Sequence, residues 1–226
     1  ADVTAVYMAQ DSGARVYAAG LSISDDSTLA YSAADEGLSI RASVGDAKIH
    51  FLDVGSRECE IGIDNGSGQF VLAKDDLSTG TQALNIDIGT GSVNMPNTPA
   101  FLVHPASSQD NIAVDGVDIV FGTEIFDQGS NFASNTFTAP VTGKYLFTWS
   151  IRVGVLDAAA NYYGISLITS NREHNQIPIL DPGGFGGDLN YISFSGSILT
   201  DMDISDTAKM TIYQSAGTAQ TDIVAE

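Results

Sequence analysis

The sequence predicts an all-β protein, and three observations carry that reading. From Lys144 to Val153 the odd positions Tyr145, Phe147, Trp149, Ile151 and Val153 are large and apolar, while Lys144, Thr148, Ser150 and Arg152 fill most of the other face. A period of two is the mark of a half-buried strand. Shorter alternating segments recur upstream, each bounded by turn-forming residues. Glycine is abundant (23) and proline sparse (6), with Ser, Thr, Val and Ile throughout, which suits many short strands joined by tight turns rather than helices.

In chain order, Val3 to Met8 and Arg15 to Ala18 read as two strands of a hairpin around the turn Asp11 to Gly13. From Leu21 to Pro96 the pattern sharpens. Ile49 and Phe51, then Cys59, Ile61 and Ile63, then Phe70 and Leu72, then Leu84, Ile86 and Ile88 each mark one face of a short strand. Between them lie Asp53 to Ser56, Asp64 to Gly68, Asp75 to Gly80 and Gly89 to Gly91, all of turn chemistry. Such narrow apolar faces do not close a core in one chain, because apolar burial at about 25 cal/mol per Å² must offset roughly 1 to 2 kcal/mol of backbone entropy per residue. Three copies wrapped around a common axis would meet that demand. Two prolines, Pro96 and Pro99, mark the boundary between a first part, 1–97, and a second, 98–226. In the second part Pro140 and Gly143 make Ala139 to Gly143 a turn that delivers the strand Thr136 to Thr138 into the long one. Further strands begin at Tyr163, Ile192 and Met210, with Asn171 to Gln176 and Asp181 to Gly187 as exposed loops.

Charge narrows the function. Nine Lys and Arg stand against 28 Asp and Glu, a net charge of -19, with no basic stripe to follow a phosphate backbone, so nucleic acid is not an expected partner. An anionic membrane surface would be repelled, and the apolar runs fall well short of a spanning helix. Cys59 is the single cysteine, so stability comes from packing or oligomer contacts and not from an intrachain disulfide.

The stretch from Phe137 to Phe147, FTAPVTGKYLF, resembles the signature of the globular head of the first complement component's q subunit, a trimeric jelly roll shared with tumour necrosis factor relatives. Pro99 to Val103 is similar to that family's first strand, Val117 to Ile125 to its second, Phe126 to Phe132 to the loop before the signature, and Ser195 to Gln214 to its penultimate pair of strands. The likeness runs from about Pro99 nearly to the end. One departure stands out: the family closes on a strand reading Phe-x-Gly-x-Leu. Here either that strand is absent from the sequence or Thr221 to Val224 stands in for it. Upstream, Lys48 to Gly55, Ile61 to Leu72 and Ala83 to Val93 resemble modules of bacteriophage tail fibres and related trimeric fibrous proteins. Together the two resemblances imply an N-terminal trimeric β-shaft or collar module followed by a jelly-roll β-sandwich head.

No catalytic constellation is visible. His50, His104 and His174 lack metal-ligand spacing, Cys59 alternates with Ile61 and Ile63 as a small buried hydrophobe would, and no Gly-x-Ser-x-Gly elbow or phosphate-cradling loop occurs. The expectation is a protein that is not an enzyme and has no cofactor or metal. Asp201, Asp203 and Asp206, with Asp181 and Asp188 beside a glycine-rich loop, offer oxygen ligands suited to calcium. That is the weaker alternative, the other reading being acidic loops that keep an assembly soluble. Tyr145, Phe147 and Trp149 read as core, whereas Tyr162, Tyr191, Phe185 and Tyr213 are candidates for a ligand surface. Asn171, Arg172, His174, Phe185, Asp188 and Tyr191 are the expected ligand or receptor contacts by loop position.

The resemblances imply a homotrimeric virion fibre protein that meets other virion proteins and presents three heads to a host cell-surface glycan or protein, multiplying a weak contact by avidity. A capsid or tail decoration or joining protein without receptor binding, and a secreted, extracellular bacterial adhesin or lectin with the same head, are the alternatives. A depolymerase is disfavoured because no pair of carboxylates shows active-site spacing.

Overall fold

The structure is a computed structural model that describes residues 45–53 and 57–225. The expected hairpin between Val3 and Ala18 lies outside the described residues, as does most of the Asp53 to Ser56 turn. Residues 42–226 form one compact unit, and its described residues are all-β apart from one short 3-10 turn, Pro182–Phe185.

The first five strands, β1 (Ala47–Asp53), β2 (Arg57–Asp64), β3 (Gln69–Lys74), β4 (Thr81–Asp87) and β5 (Val93–Asn94), form one antiparallel meander in chain order. Register aligns Ile49, Ile61, Leu72 and Leu84 in one row and Ile63, Phe70, Ile86 and Val93 in another. The alternation therefore predicted the strands and their shared apolar face. It did not predict which face the chain closes. Val71, Ala73 and Leu77 are fully buried on the opposite side, beside buried Glu60 and Asp64, while Phe51, Ile88 and Val93 are 56 to 61 % exposed.

The reason is local. Leu77, in the β3–β4 connection, folds back so that its N–H donates to Glu60 Oε2 (3.1 Å), and Lys48 Nζ meets Glu60 Oε1 at 2.7 Å. Asp64 Oδ1 accepts from Gly66 N (2.9 Å) and Ser78 Oγ (3.0 Å). These bonds pay the desolvation cost of the two carboxylates, so one chain does close a small core here. The sequence expectation that it could not is corrected.

The head begins after Pro99. β6 (Ala100–His104) pairs with β8 (Thr123–Gln128) as a separate two-stranded sheet. The single strand expected over Val117 to Ile125 is split, since β7 (Val117–Asp118) joins another sheet and β8 begins only at Thr123 and runs into the expected loop. β9 (Phe132–Ala133), β10 (Thr136–Thr138), β12 (Tyr162–Thr169), β13 (Glu173–Leu180) and β15 (Thr207–Ser215) form a second sheet in the order β13-β12-β15-β10-β9, with β7 also on β15. β11 (Gly143–Leu156), β14 (Leu189–Met202) and β16 (Asp222–Ile223) form the third, in the order β14-β11-β16.

The chain passes between these two sheets at β10–β11, β11–β12, β13–β14, β14–β15 and β15–β16, which makes the head a jelly-roll sandwich. Ile151, Val153, Phe194 and Met202 of one sheet meet Tyr163, Ile165, Leu167 and Ile212 of the other in a single core. Tyr145, Phe147 and Trp149 pack against it, as their alternation predicts. Asn171 to Gln176 is not one loop, because β13 starts at Glu173. β13 ends its sheet, and an edge strand tolerates Pro178. A short closing strand does form where Thr221 to Val224 predicts it: Ile223 pairs with Val153 and Asp222 with Gly154.

Candidate functional site

One end of the core is held by a buried polar knot. The Tyr163 hydroxyl lies 2.7 Å from Thr221 Oγ1, donates to Gln214 Oε1 (3.0 Å) and accepts from Asp157 N (2.9 Å). Gln214 Nε2 donates in turn to the carbonyls of Ala216 and Thr218. Asp157 Oδ2 accepts from Thr218 N (2.6 Å) and Thr218 Oγ1 (3.0 Å), and its Oδ1 from Ala159 N (2.7 Å). Burial works against the Asp157 charge, but the Thr218 and Ala159 donors outweigh it and hold the carboxyl below its usual range. Burial also pushes the Tyr163 phenol up. With every partner internal, this knot is architecture, and it ties the loops that follow β11 and β15 together.

That outer face carries the candidate site. The floor is the solvent side of β12 and β15; β13 forms one wall, and the Asp115 to Asp118 turn leading into β7 forms the other. The hollow is about 680 Å³. Register places Tyr213 opposite Gly164 and Ser215 opposite Tyr162. Because Gly164 has no side chain, Tyr213 leans diagonally onto Tyr162, and the rings stack at 5.7 Å and 28°.

Around this aromatic pair stand Asp115, Asp118, Glu173 and Asn175, with the Gln176 backbone beside Gly164. The Tyr213 hydroxyl donates to Asp115 Oδ1 at 3.4 Å. Desolvation, reinforced by Tyr162 and Asp115, lifts its pKa, so Tyr213 stays a neutral donor. Lys209 Nζ neutralises Asp118 at 2.8 Å. The arrangement is a flat aromatic surface ringed by carboxylates and the Asn175 amide.

The six contacts expected from loop position do not form one surface. Asn171, Arg172 and His174 gather at one end of the sandwich, where they are engaged internally. Arg172 grips Asp201 with both guanidinium nitrogens (3.0 and 3.1 Å), Asn171 Nδ2 donates to Asp206 Oδ2 (2.5 Å), and His174 Nε2 lies 3.1 Å from Thr200 Oγ1. Phe185, Asp188 and Tyr191 lie at the other end. Tyr191 and Asp201 are ten residues apart on the continuous strand β14, about 34 Å at 3.4 Å per residue. There Asp188 Oδ1 accepts from Ala158 N (2.9 Å), Arg152 lies over the exposed Tyr191 ring at 5.8 Å, and Phe185 is 56 % exposed.

Of the carboxylates considered for calcium, Asp201 is engaged by Arg172, Asp206 by Asn171 and the Asp203 N–H (2.9 Å), and Asp188 by the Ala158 N–H. Among the described residues no three His, Cys, Asp or Glu converge on a point. Sequence reading did single out Tyr162 and Tyr213 but missed Asp115, Asp118, Glu173, Asn175 and Gln176. The outward parity of Tyr162 and Tyr213 was readable, whereas the wall residues come from two segments, 115–118 and 173–176, brought together only by strand pairing.

The described residues thus define an all-β protein whose head is a jelly-roll sandwich with a polar, aromatic-floored groove on one outer face. No family model matches the chain, and no curated protein matches it. Among solved structures, the chain is similar to the globular domain of zebrafish complement 1qA protein at 16% identity, over 57% of this chain and 94% of that one, with a TM-score of 0.38. It is similar to murine APRIL at 12% identity, over 57% and 98% respectively, with a TM-score of 0.36. A third likeness, to an exo-beta-1,3-galactanase from Phanerochaete chrysosporium, has 11% identity and a TM-score of 0.24, over 76% of this chain and 42% of that one.

Proposed function

We propose that the chain is a non-enzymatic, homotrimeric fibre protein of a virion whose head binds a host cell-surface glycan. The observation that carries the glycan reading is the Tyr162–Tyr213 stack in a groove edged by carboxylates and amides. Stacked phenol rings offer an apolar platform to the C–H face of a sugar, and the surrounding side chains take its hydroxyls. Asp115 and Glu173 make the rim acidic, with Asp118 offset by Lys209, so neutral or amino sugars suit it and uronates or sialylated sugars do not.

The trimer reading rests on the apolar face of the β1–β5 sheet. Ile49, Phe51, Ile88 and Val93 are all at least 40 % exposed on or beside rows of apolar residues that continue across the sheet. An apolar sheet face of this extent is an interaction surface or an aggregation hazard, and a second and third copy would cover it. Three heads on one axis then raise a weak sugar contact by avidity.

Binding of the full chain to an array of neutral, amino and acidic oligosaccharides tests the reading. Neutral or amino sugars are expected to bind, with the signal lost in Tyr162→Ala and Tyr213→Ala and kept in Tyr191→Ala. Binding that survives both groove substitutions, or none to any sugar, would overturn it.

A further inference from the structure

The groove on the outer face changes character along its length. Register orders its floor from one end to the other, with Gly164 opposite Tyr213, Ser166 opposite Thr211 and Ile168 opposite Lys209. The stacked phenols occupy the first end, where the Tyr213 hydroxyl meets Asp115 Oδ1. Asp115 is fixed there at φ 80°, its N–H donating to the Gln214 carbonyl at 3.1 Å. On the β13 wall Asn175 pairs with Ser166 and Glu173 with Ile168, so Glu173 belongs to the far end. The two ends are separated by the four residues from Gly164 to Ile168, about 14 Å at about 3.4 Å per residue.

The charges of the groove are unevenly matched. Among the described residues three carboxylates line it, Asp115, Asp118 and Glu173, and no lysine, arginine or histidine does. Lys209 answers Asp118 at 2.8 Å. The Asp115 side chain accepts only the Tyr213 hydroxyl, and the Glu173 side chain has neither hydrogen bond nor ion pair among the described residues. One carboxylate at each end is thus left without a cation. Between them Ser166 Oγ donates to Asn175 Oδ1, which leaves the Asn175 N–H groups as donors for a hydroxyl. A neutral sugar uses the aromatic floor and Asn175 and gains little from the two carboxylates. Protonated amines gain charge-assisted hydrogen bonds at both, and one beside the phenols gains from their π-faces as well. A lysine-rich peptide supplies the charge but no flat C–H face for the phenols.

We propose that the groove selects a linear amino-sugar chain with free, protonated amines, lying along β12 and β15 with one unit on the Tyr162–Tyr213 stack, one amine at Asp115 and another at Glu173. This rests on the glycan reading above and narrows it from neutral or amino sugars to cationic ones. Because the two carboxylates stand at opposite ends, a single sugar unit cannot meet both.

The probes are a glucosamine tetramer and its fully N-acetylated counterpart, which differ in charge but not in ring or linkage, with tetralysine as a cation that lacks a sugar face. Each is titrated calorimetrically into the full chain at about pH 6, where carboxylates are ionised and alkyl amines protonated. The free-amine tetramer is expected to bind about five- to tenfold more tightly than the acetylated one. That ratio is expected to fall toward one at about 0.5 M salt, and to fall in Glu173→Gln and in Asp115→Asn, a replacement that tolerates the same positive φ. Both tetramers are expected to weaken in Tyr162→Ala. Equal affinities for the two tetramers, with binding lost in Tyr162→Ala, would overturn this inference and leave the glycan reading standing. A ratio unchanged in both carboxylate variants would overturn it too. Binding of neither tetramer would do the same, and would take the wider reading with it if no other sugar binds. Tetralysine binding as tightly as the free-amine tetramer, and indifferent to Tyr162→Ala, would assign the groove to a basic peptide and overturn the inference.

Discussion

Replacing Tyr163 with phenylalanine deletes one oxygen from the buried knot and leaves the ring in place. Tyr163 is fully buried. Its hydroxyl is the acceptor for Asp157 N and contacts Gln214 Oε1 and Thr221 Oγ1. Thr221 and Gln214 keep their mutual bond at 3.0 Å, so the variant strands one buried donor, the Asp157 N–H. An unsatisfied buried group costs about 1 to 3 kcal/mol. A loss of about 2 kcal/mol is expected, which in a unit of this size lowers the melting temperature by about 4 to 8 °C. Calorimetry and urea unfolding of Tyr163→Phe, Thr221→Val and the double variant measure both the loss and a coupling of about 1 kcal/mol. Tyr213→Phe is the internal reference: its hydroxyl makes only an exposed 3.4 Å contact, and its removal is expected to cost less than about 0.5 kcal/mol. If Tyr163→Phe is as stable as the parent, the knot does not hold the core and the reasoning fails.

Other expectations follow from the same geometry. Asp157 and Asp64 are buried with pKa values held below the usual carboxylate range, Asp157 by its Thr218 and Ala159 donors against burial and Asp64 by Ser67 first. A depressed folded pKa contributes stability that is complete above the unfolded value, about 3.9, and is lost as pH falls through the folded one. The melting temperature is therefore expected to hold from pH 7 to about 5 and to fall below about pH 4, less steeply in Asp157→Asn; an unchanged slope in that variant would contradict the assignment. A Cβ at Gly196 would stand 2.5 Å from Trp149 Cζ2 and from Gln176 Oε1, so Gly196→Ala is expected to cost about 1 to 3 kcal/mol by overpacking and to shift Trp149 emission. In sedimentation the parent chain is expected at three times the monomer mass and Phe51→Asp or Val93→Asp at lower mass; a monomeric parent would remove the trimer.

The period-two text fixed where strands form because side-chain alternation is local: Tyr145 to Val153 declares its inner face without reference to any other segment. The same locality let the turn Ala139 to Gly143 and the strand Thr136 to Thr138 be read from residues alone. Burial is not local. Ile49, Ile61 and Leu72 look like a core face in sequence, yet the chain closes the other side, because Leu77 and the Glu60 and Asp64 hydrogen bonds gather there only after four strands have paired.

Which outward residues lie together was not legible from loop position for the same reason. Arg172 and Tyr191 lie nineteen positions apart in sequence and at opposite ends of the sandwich, whereas Tyr162 and Tyr213 are fifty-one apart and in contact. Composition and alternation thus determined the class of fold and the strand faces. Strand register and sheet order decided which outward residues share a groove and which edge of β11 receives β16. Those depend on hydrogen-bond pairing between segments far apart in the chain, a relation that no single stretch of sequence encodes.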